Sequence, residues 1–181
     1  EPMLYPEWVW GVLDESSCIE ELTWVDTNLT KEIPNYLLCK LDRENTAICG
    51  CFKPNRRYRF GTNSKGLGTV DIGDQLDIVK SIVDADVSLF LYWPAWDKED
   101  SPALFNNTLD QLRKIDFYLP LRLTVIETKK YAASPNMDDI SSPMLKYLFS
   151  NRRSVHFEYL KRHYHSSLIA MPSHYTLNLG R

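Results

Sequence analysis

The sequence predicts an α+β protein in two parts, an N-terminal arm carrying a helix and, after it, an α/β domain with a small mixed sheet. Three observations predict it. Hydrophobic residues make up 44% and charged residues 25% of the 181, a globular balance that excludes wholesale disorder. Breakers gather between 53 and 69, at Pro54, Gly61, Gly66 and Gly68, and separate a first third rich in tryptophan and cysteine from the rest. Beyond residue 70 short apolar runs alternate with stretches of helical periodicity. The two parts are therefore expected at 1–66 and 67–181.

The arm is organised around Tyr5-Pro6-Glu7-Trp8-Val9-Trp10. Each large ring removes ~150 to 250 Å² from water when covered, and six residues cannot supply that cover themselves. A strand would put Trp8 and Trp10 on one face, whereas a short helix begun by Pro6 projects them about 200° apart. Either way Tyr5, Trp8 and Trp10 are candidate partner-binding residues, the alternative being that they plug the chain's own core. Residues 1–32 read as an arm with short helical turns, Ser17 and Glu20 having capping-box spacing before Leu22. A longer helix is expected from about 34 to 49, opened by Pro34, carrying Cys39 on its core side and stopped near Gly50. Cys18, Cys39, Cys49 and Cys51 all fall in this third. Cys49-Gly50-Cys51 is shorter than a Cys-x-x-Cys knuckle and no histidine lies nearby, so reduced, partly buried thiols are expected, with no metal and no cofactor.

Lys53, Arg56, Arg57, Arg59 and Lys65 make residues 53–66 basic without an acid, although the formal charge of the whole chain is -3. Residues 141–181 are the second basic stretch. Local positive patches on an acidic body suit phosphate contacts. If Arg57 to Phe60 is extended, Arg57 and Arg59 fall on one face and Tyr58 and Phe60 on the other, a way to grip structured RNA; an exposed basic hairpin is the plainer meaning.

The second part reads as follows. Ile72, Leu76, Val79 and Val83 recur at helical spacing, and Val87 to Trp93 is a short apolar run ending at Pro94, as a buried strand does. Ser101-Pro102 opens a helix whose apolar face is Leu104, Phe105, Leu109, Leu112 and Ile115. Leu121 to Glu127 is the next strand, and strand, helix, strand with short links predicts a parallel crossover. Ser142-Pro143 opens a long helix reaching Tyr164, on which Arg152, Arg153, Lys161 and Arg162 are candidate phosphate contacts. Thr176 to Leu179 closes the chain as a short strand.

Catalytic signatures are lacking. Asp97, Glu99 and Asp100 precede Ser101-Pro102, where acids favour a helix N-terminus. His163 and His165 diverge on a helix, no serine stands in a Gly-x-Ser-x-Gly elbow, and Gly66-Leu67-Gly68 lacks the residues of a phosphate cradle. No apolar run reaches the ~20 residues that cross a bilayer.

Two resemblances sharpen the expectation. The opening hexapeptide, then Ile19-Glu20-Glu21-Leu22, then a charged helix with Arg43 and Asn45 nearby, resembles the mitochondrial large-subunit ribosomal protein family numbered fifty-four, over residues 4 to about 60. The order from the strand ending in Trp93-Pro94-Ala95-Trp96 to Met171-Pro172 resembles the thioredoxin-like fold, with carboxylates at Asp97 to Asp100 where redox thiols would stand. The first resemblance implies a structural constituent of the mitochondrial large ribosomal subunit, in the matrix, binding ribosomal RNA and neighbouring ribosomal proteins. Its RNA contacts would be Lys53, Arg56, Arg57, Tyr58, Arg59, Arg152, Arg153, Lys161 and Arg162. The second implies a redox-inactive scaffold, because a carboxylate cannot attack a disulfide. No small-molecule substrate is expected. A thioredoxin-like or glutathione-linked enzyme and an accessory subunit of another mitochondrial complex remain the alternatives.

Overall fold

A computed structural model of the chain describes residues 2–16, 23–41, 46–52, 56–59, 67–95, 101–128 and 141–171. Within them the protein is a mixed α/β structure with a four-stranded parallel sheet and a separate two-stranded ribbon. The sheet strands are β1 (Thr23–Thr27), β2 (Thr46–Cys51), β5 (Ser88–Ala95) and β6 (Leu123–Glu127), neighbours in that order. The ribbon is β3 (Arg56–Arg59) paired antiparallel with β4 (Leu67–Val70). The chain forms two compact units, Glu1–Leu91 and Tyr92–Arg181.

In the first unit α1 (Pro6–Ser16) starts where proline's missing N–H costs nothing, with the Tyr5 carbonyl accepting from Trp8 N at 3.0 Å and Val9 N at 3.2 Å. Val9 and Leu13, one turn apart, are buried together with Met3. The stretch expected to continue as an arm instead contains β1. Its Val25 and Thr27 are buried while Trp24 and Asp26 face outward, an alternation masked in the sequence because an exposed position holds the largest apolar ring.

The helix expected from 34 to 49 is likewise corrected. It stops early, as α2 (Asn35–Leu41), and residues 46–51 form β2, in parallel register with β1 from Thr23↔Thr46 to Thr27↔Gly50. Thr46, Ala47, Ile48, Gly50 and Cys51 are all buried, and a strand covered on both faces loses the period-2 signal that would mark it. Just past β1, Leu29 takes φ 53° and is fully buried, its N–H bonded to Thr27 Oγ1 at 3.1 Å. A Cβ on Gly50 would stand 2.9 Å from Leu29 Cδ1 and 3.0 Å from Leu91 Cδ2, so glycine lets these two leucines close over β2.

Helix α3 (Ile72–Asp84) is capped by Asp71, whose side chain accepts from Gly73 N at 2.9 Å. Its buried line is Gln75, Ile78, Val79 and Ile82; Ile72, Leu76 and Val83, expected inward, are half-buried. The polar Gln75 at the head of that line rotates the inward face away from the one that apolar spacing suggests. It is fully buried and its Nε2 donates to the carbonyls of Asn28 (2.9 Å) and Cys51 (3.2 Å), at the ends of β1 and β2. Strand β5 runs through Pro94 to Ala95, two residues beyond the expected stop at Trp93.

In the second unit α4 (Pro102–Ile115) is capped by Ser101, which accepts from Leu104 N at 3.1 Å; it buries Phe105, Leu109 and Leu112 as expected and Thr108 besides, while Leu104 and Ile115, also expected inward, are half-buried. The Trp93 and Phe105 rings meet edge to face at 4.8 Å. A tight turn over Leu119–Arg122 leads into β6. Helix α5 (Ser142–His163) is capped by Ser141, one residue before the expected opening, and is followed by the single turn α6 (Ser166–Ala170). The inward line of α5 is strongly polar: Leu145, Arg152, His156, Tyr159 and Leu160. Polar groups along α5 bond to the neighbouring segments. Tyr159 Oη donates to Asp110 Oδ1 at 2.8 Å, Arg113 Nη1 to His163 Nδ1 at 3.0 Å, and His156 Nε2 to the Pro120 carbonyl at 3.0 Å. Tyr164 Oη closes the helix end onto the Phe117 carbonyl at 2.6 Å.

Candidate docking and nucleic-acid interface

Helix α1 has two apolar sides. One is spent on the core through Val9 and Leu13. The other carries Trp8 and Val12, with Tyr5 immediately before the helix also outward; Tyr5 is 68% and Trp8 67% exposed. Trp10 lies on neither side. Its ring stands 5.8 Å from Tyr36 of α2, and Lys40 Nζ lies 4.8 Å from the ring centre while also pairing with Asp14 at 2.6 Å. Of the two leading indoles, then, Trp8 is open to a partner and Trp10 is propped by α2, though still 37% exposed.

The thiols divide in the same unit. Cys39 is exposed, not on the core side of its helix as expected; Cys49 is half-buried and Cys51 buried, and each of the three is a thiol. Burial, and then the Asp26 carboxylate, push the Cys49 thiol up to about 11. Cys18 lies outside the described residues.

Arg56, Arg57, Tyr58 and Arg59 are consecutive positions of β3, opposite Val70, Thr69, Gly68 and Leu67 in that order. The basic run is therefore one strand of an antiparallel ribbon. Lys53 lies outside the described residues, as do Trp96, the acids at 97, 99 and 100, Pro172, His174 and the expected strand at 176–179.

The four basic residues named on α5 do not act together. Arg153, Lys161 and Arg162 are exposed, spread over about 14 Å of helix at 1.5 Å per residue. Arg152 is only 3% exposed, its guanidinium 5.2 Å from the centre of the Phe105 ring. A residue turned into the core in this way packs against an aromatic face and is not presented to phosphate. Lys161 Nζ pairs with Glu158 at 3.1 Å and stands 4.5 Å from the Phe157 ring centre.

Electrostatics along the α4–α5 seam is governed by burial. It holds His156 below the ordinary histidine value, with the Pro120 carbonyl pulling the other way. It lowers His163 also, helped by the neighbouring Arg113 guanidinium. It raises the phenols of Tyr159, next to Asp110, and of Tyr164. These are groups held neutral within packing, an arrangement that fixes a helix. Among the described residues no group of three or more His, Cys, Asp or Glu is placed to hold a metal ion, and no helix is long and apolar enough to cross a membrane.

Sequence reasoning missed Gln75 and the Asp110–Tyr159 and Arg113–His163 pairs. Partners 47 to 50 residues apart leave no local pattern.

Comparison with protein-family models, curated proteins and solved structures gives no match.

Proposed function

We infer that this protein is a non-catalytic docking subunit that joins a protein partner through α1 and RNA through basic surfaces. The particular assembly we propose is the mitochondrial large ribosomal subunit, in the matrix. One observation carries the docking role: Trp8 and Val12, with Tyr5 immediately before them, form an outward apolar stripe on a helix whose inward stripe already satisfies the core. An indole left two-thirds in water offers a partner a large apolar contact of the kind that anchors interfaces. The ribosomal assignment is supported by the likeness of the hexapeptide and of Ile19 to Leu22 to the large-subunit family. The basic ribbon strand and the exposed Arg153, Lys161 and Arg162 are the proposed contacts to ribosomal RNA. The C-terminal part serves in this reading as a redox-inactive scaffold of thioredoxin-like order, supported by the succession β5, α4, β6, α5.

The test is to sediment mitochondrial ribosomes through high salt and follow the chain. It travels with the large subunit if the proposal is right, and remains at the top of the gradient if it is wrong.

A further inference from the structure

One side of α5 bears a groove of about 530 Å³, lined by the buried His156 and Leu160 together with Phe149, Ser150, Arg153, Ser154 and Phe157. Helical geometry orders the lining. Phe149, Arg153 and Phe157 are successive i, i+4 neighbours and make one row, ring, cation, ring, over about 12 Å. Ser150 and Ser154 make a second row of hydroxyls beside it. Phe157 is 47% exposed, its ring not consumed by the core.

The charge around the groove is one-sided. Between Ser142 and His163 four exposed basic residues, Lys146, Arg153, Lys161 and Arg162, stand against the single acid Glu158, and Glu158 is engaged by Lys161 at 3.1 Å. A polyanion is the complementary occupant. The rings decide which polyanion. A double helix keeps its bases stacked and shows a protein mainly backbone, which would leave Phe149 and Phe157 without a use. Unpaired nucleotides show π-faces and phosphates together, and a groove within the roughly 300 to 1,000 Å³ range of ligand sites has room to seat one.

We propose that this face of α5 binds single-stranded RNA, with a base stacked on Phe157 or Phe149, its phosphate on Arg153 and hydroxyl contacts from Ser150 and Ser154. The proposal rests on the RNA-binding reading above and narrows it to unpaired nucleotides at a defined place. Contact is made at a surface whose azimuth is set from behind by the buried Arg152 and Tyr159.

The experiment is fluorescence anisotropy of the full chain with a short labelled oligouridine, its duplex with oligoadenine as competitor, over a series of salt concentrations. The single strand binds in preference to the duplex. Phe157→Ala weakens binding about tenfold with the salt dependence unchanged, and Phe157→Tyr restores it, as stacking requires. Arg153→Ala weakens binding and also lowers the slope of log affinity against log salt by about 0.7, the loss of one phosphate contact. Both side chains are exposed, and unchanged circular dichroism confirms that the variants fold. Equal binding of duplex, equal competition by polyglutamate, or α5 variants that bind as the parent does would overturn the proposal. If Arg57→Glu with Arg59→Glu alone abolishes binding, RNA sits on the ribbon and only the α5 site is lost. A parent chain that binds no RNA at all removes both readings.

Discussion

The side-chain amide of Gln75 reaches the carbonyl of Cys51 at 3.2 Å, and its second hydrogen goes to the carbonyl of Asn28 at 2.9 Å. One buried side chain on α3 thereby ties together the ends of two adjacent parallel strands. A buried carbonyl that loses a donor costs about 1 to 3 kcal/mol, more than the bond itself gains in water. Gln75→Leu keeps the volume roughly and removes both donors. We expect it to lower the unfolding free energy by about that amount, read as a lower urea midpoint at unchanged slope.

The two sides of α1 separate stability from docking. Leu13→Ala, at 2% exposure, costs about 2 to 5 kcal/mol as a buried leucine truncation does. Trp8→Ala changes stability by no more than about 0.5 kcal/mol and, under the proposed ribosomal role, is expected to release the chain from the large subunit in high-salt sedimentation. Equal thermal midpoints for parent and Trp8→Ala, beside unequal sedimentation, are the expected pair of results.

Acid should loosen the second unit. His156 and His163 sit below the ordinary value of 6.5 in the folded protein. The unfolded chain therefore takes up protons first as pH falls. The stabilisation is complete above 6.5 and is lost as pH drops through the lowered folded values. Burial sets the sign at both rings: at His156 the Pro120 carbonyl opposes it, and at His163 Arg113, whose Nη1 donates to Nδ1, and Arg162 reinforce it while Asp110 opposes it. Urea unfolding followed from about pH 7 to about pH 5 should show this decline, and His156→Gln, whose amide nitrogen reaches the position of Nε2 and retains a donor for the Pro120 carbonyl, should make it shallower.

Cysteine chemistry should be ordered. Alkylation near pH 8 is expected to reach the exposed Cys39 first. Cys49, with its thiol pushed up to about 11, should react more slowly than an ordinary exposed thiol by roughly a hundredfold, because only the thiolate attacks. Peptide mapping of timed iodoacetamide labelling gives both rates.

Gly50→Ala tests how tightly the first unit is packed. The new methyl would meet Leu29 Cδ1 at 2.9 Å and Leu91 Cδ2 at 3.0 Å. We expect a loss of about 1 to 3 kcal/mol in urea unfolding, the usual result of inserting a carbon into a filled core.

What was legible in the sequence was whatever carries a local signature. Ser101-Pro102 marked the start of α4 and its spacing most of the buried face, Pro6 offered a helix start with a strand left as the alternative, and the mixed helix and strand character followed from periodicity. What was not legible depends on distant residues. β2 reads as part of a helix because a doubly covered strand has no alternation, and β1 hides because Trp24 occupies an outward position. The inward turn of Arg152 is likewise unreadable from its neighbour Arg153, which lies 100° around the same helix and points to water. The outward placement of Tyr5 and Trp8 was legible in part, as six residues too aromatic to cover themselves.

The polar seam between α4 and α5 has a mechanical consequence. Helices joined by oily contacts can roll or slip by a turn at little cost, since one leucine substitutes for another. Here Tyr159 has one acceptor in Asp110, His163 one donor in Arg113 and Tyr164 one carbonyl at Phe117. Slippage by a single turn would break all three at once, so α5 behaves as an indexed shaft, and anything gripping its outer side meets the same residues in the same orientation on every encounter.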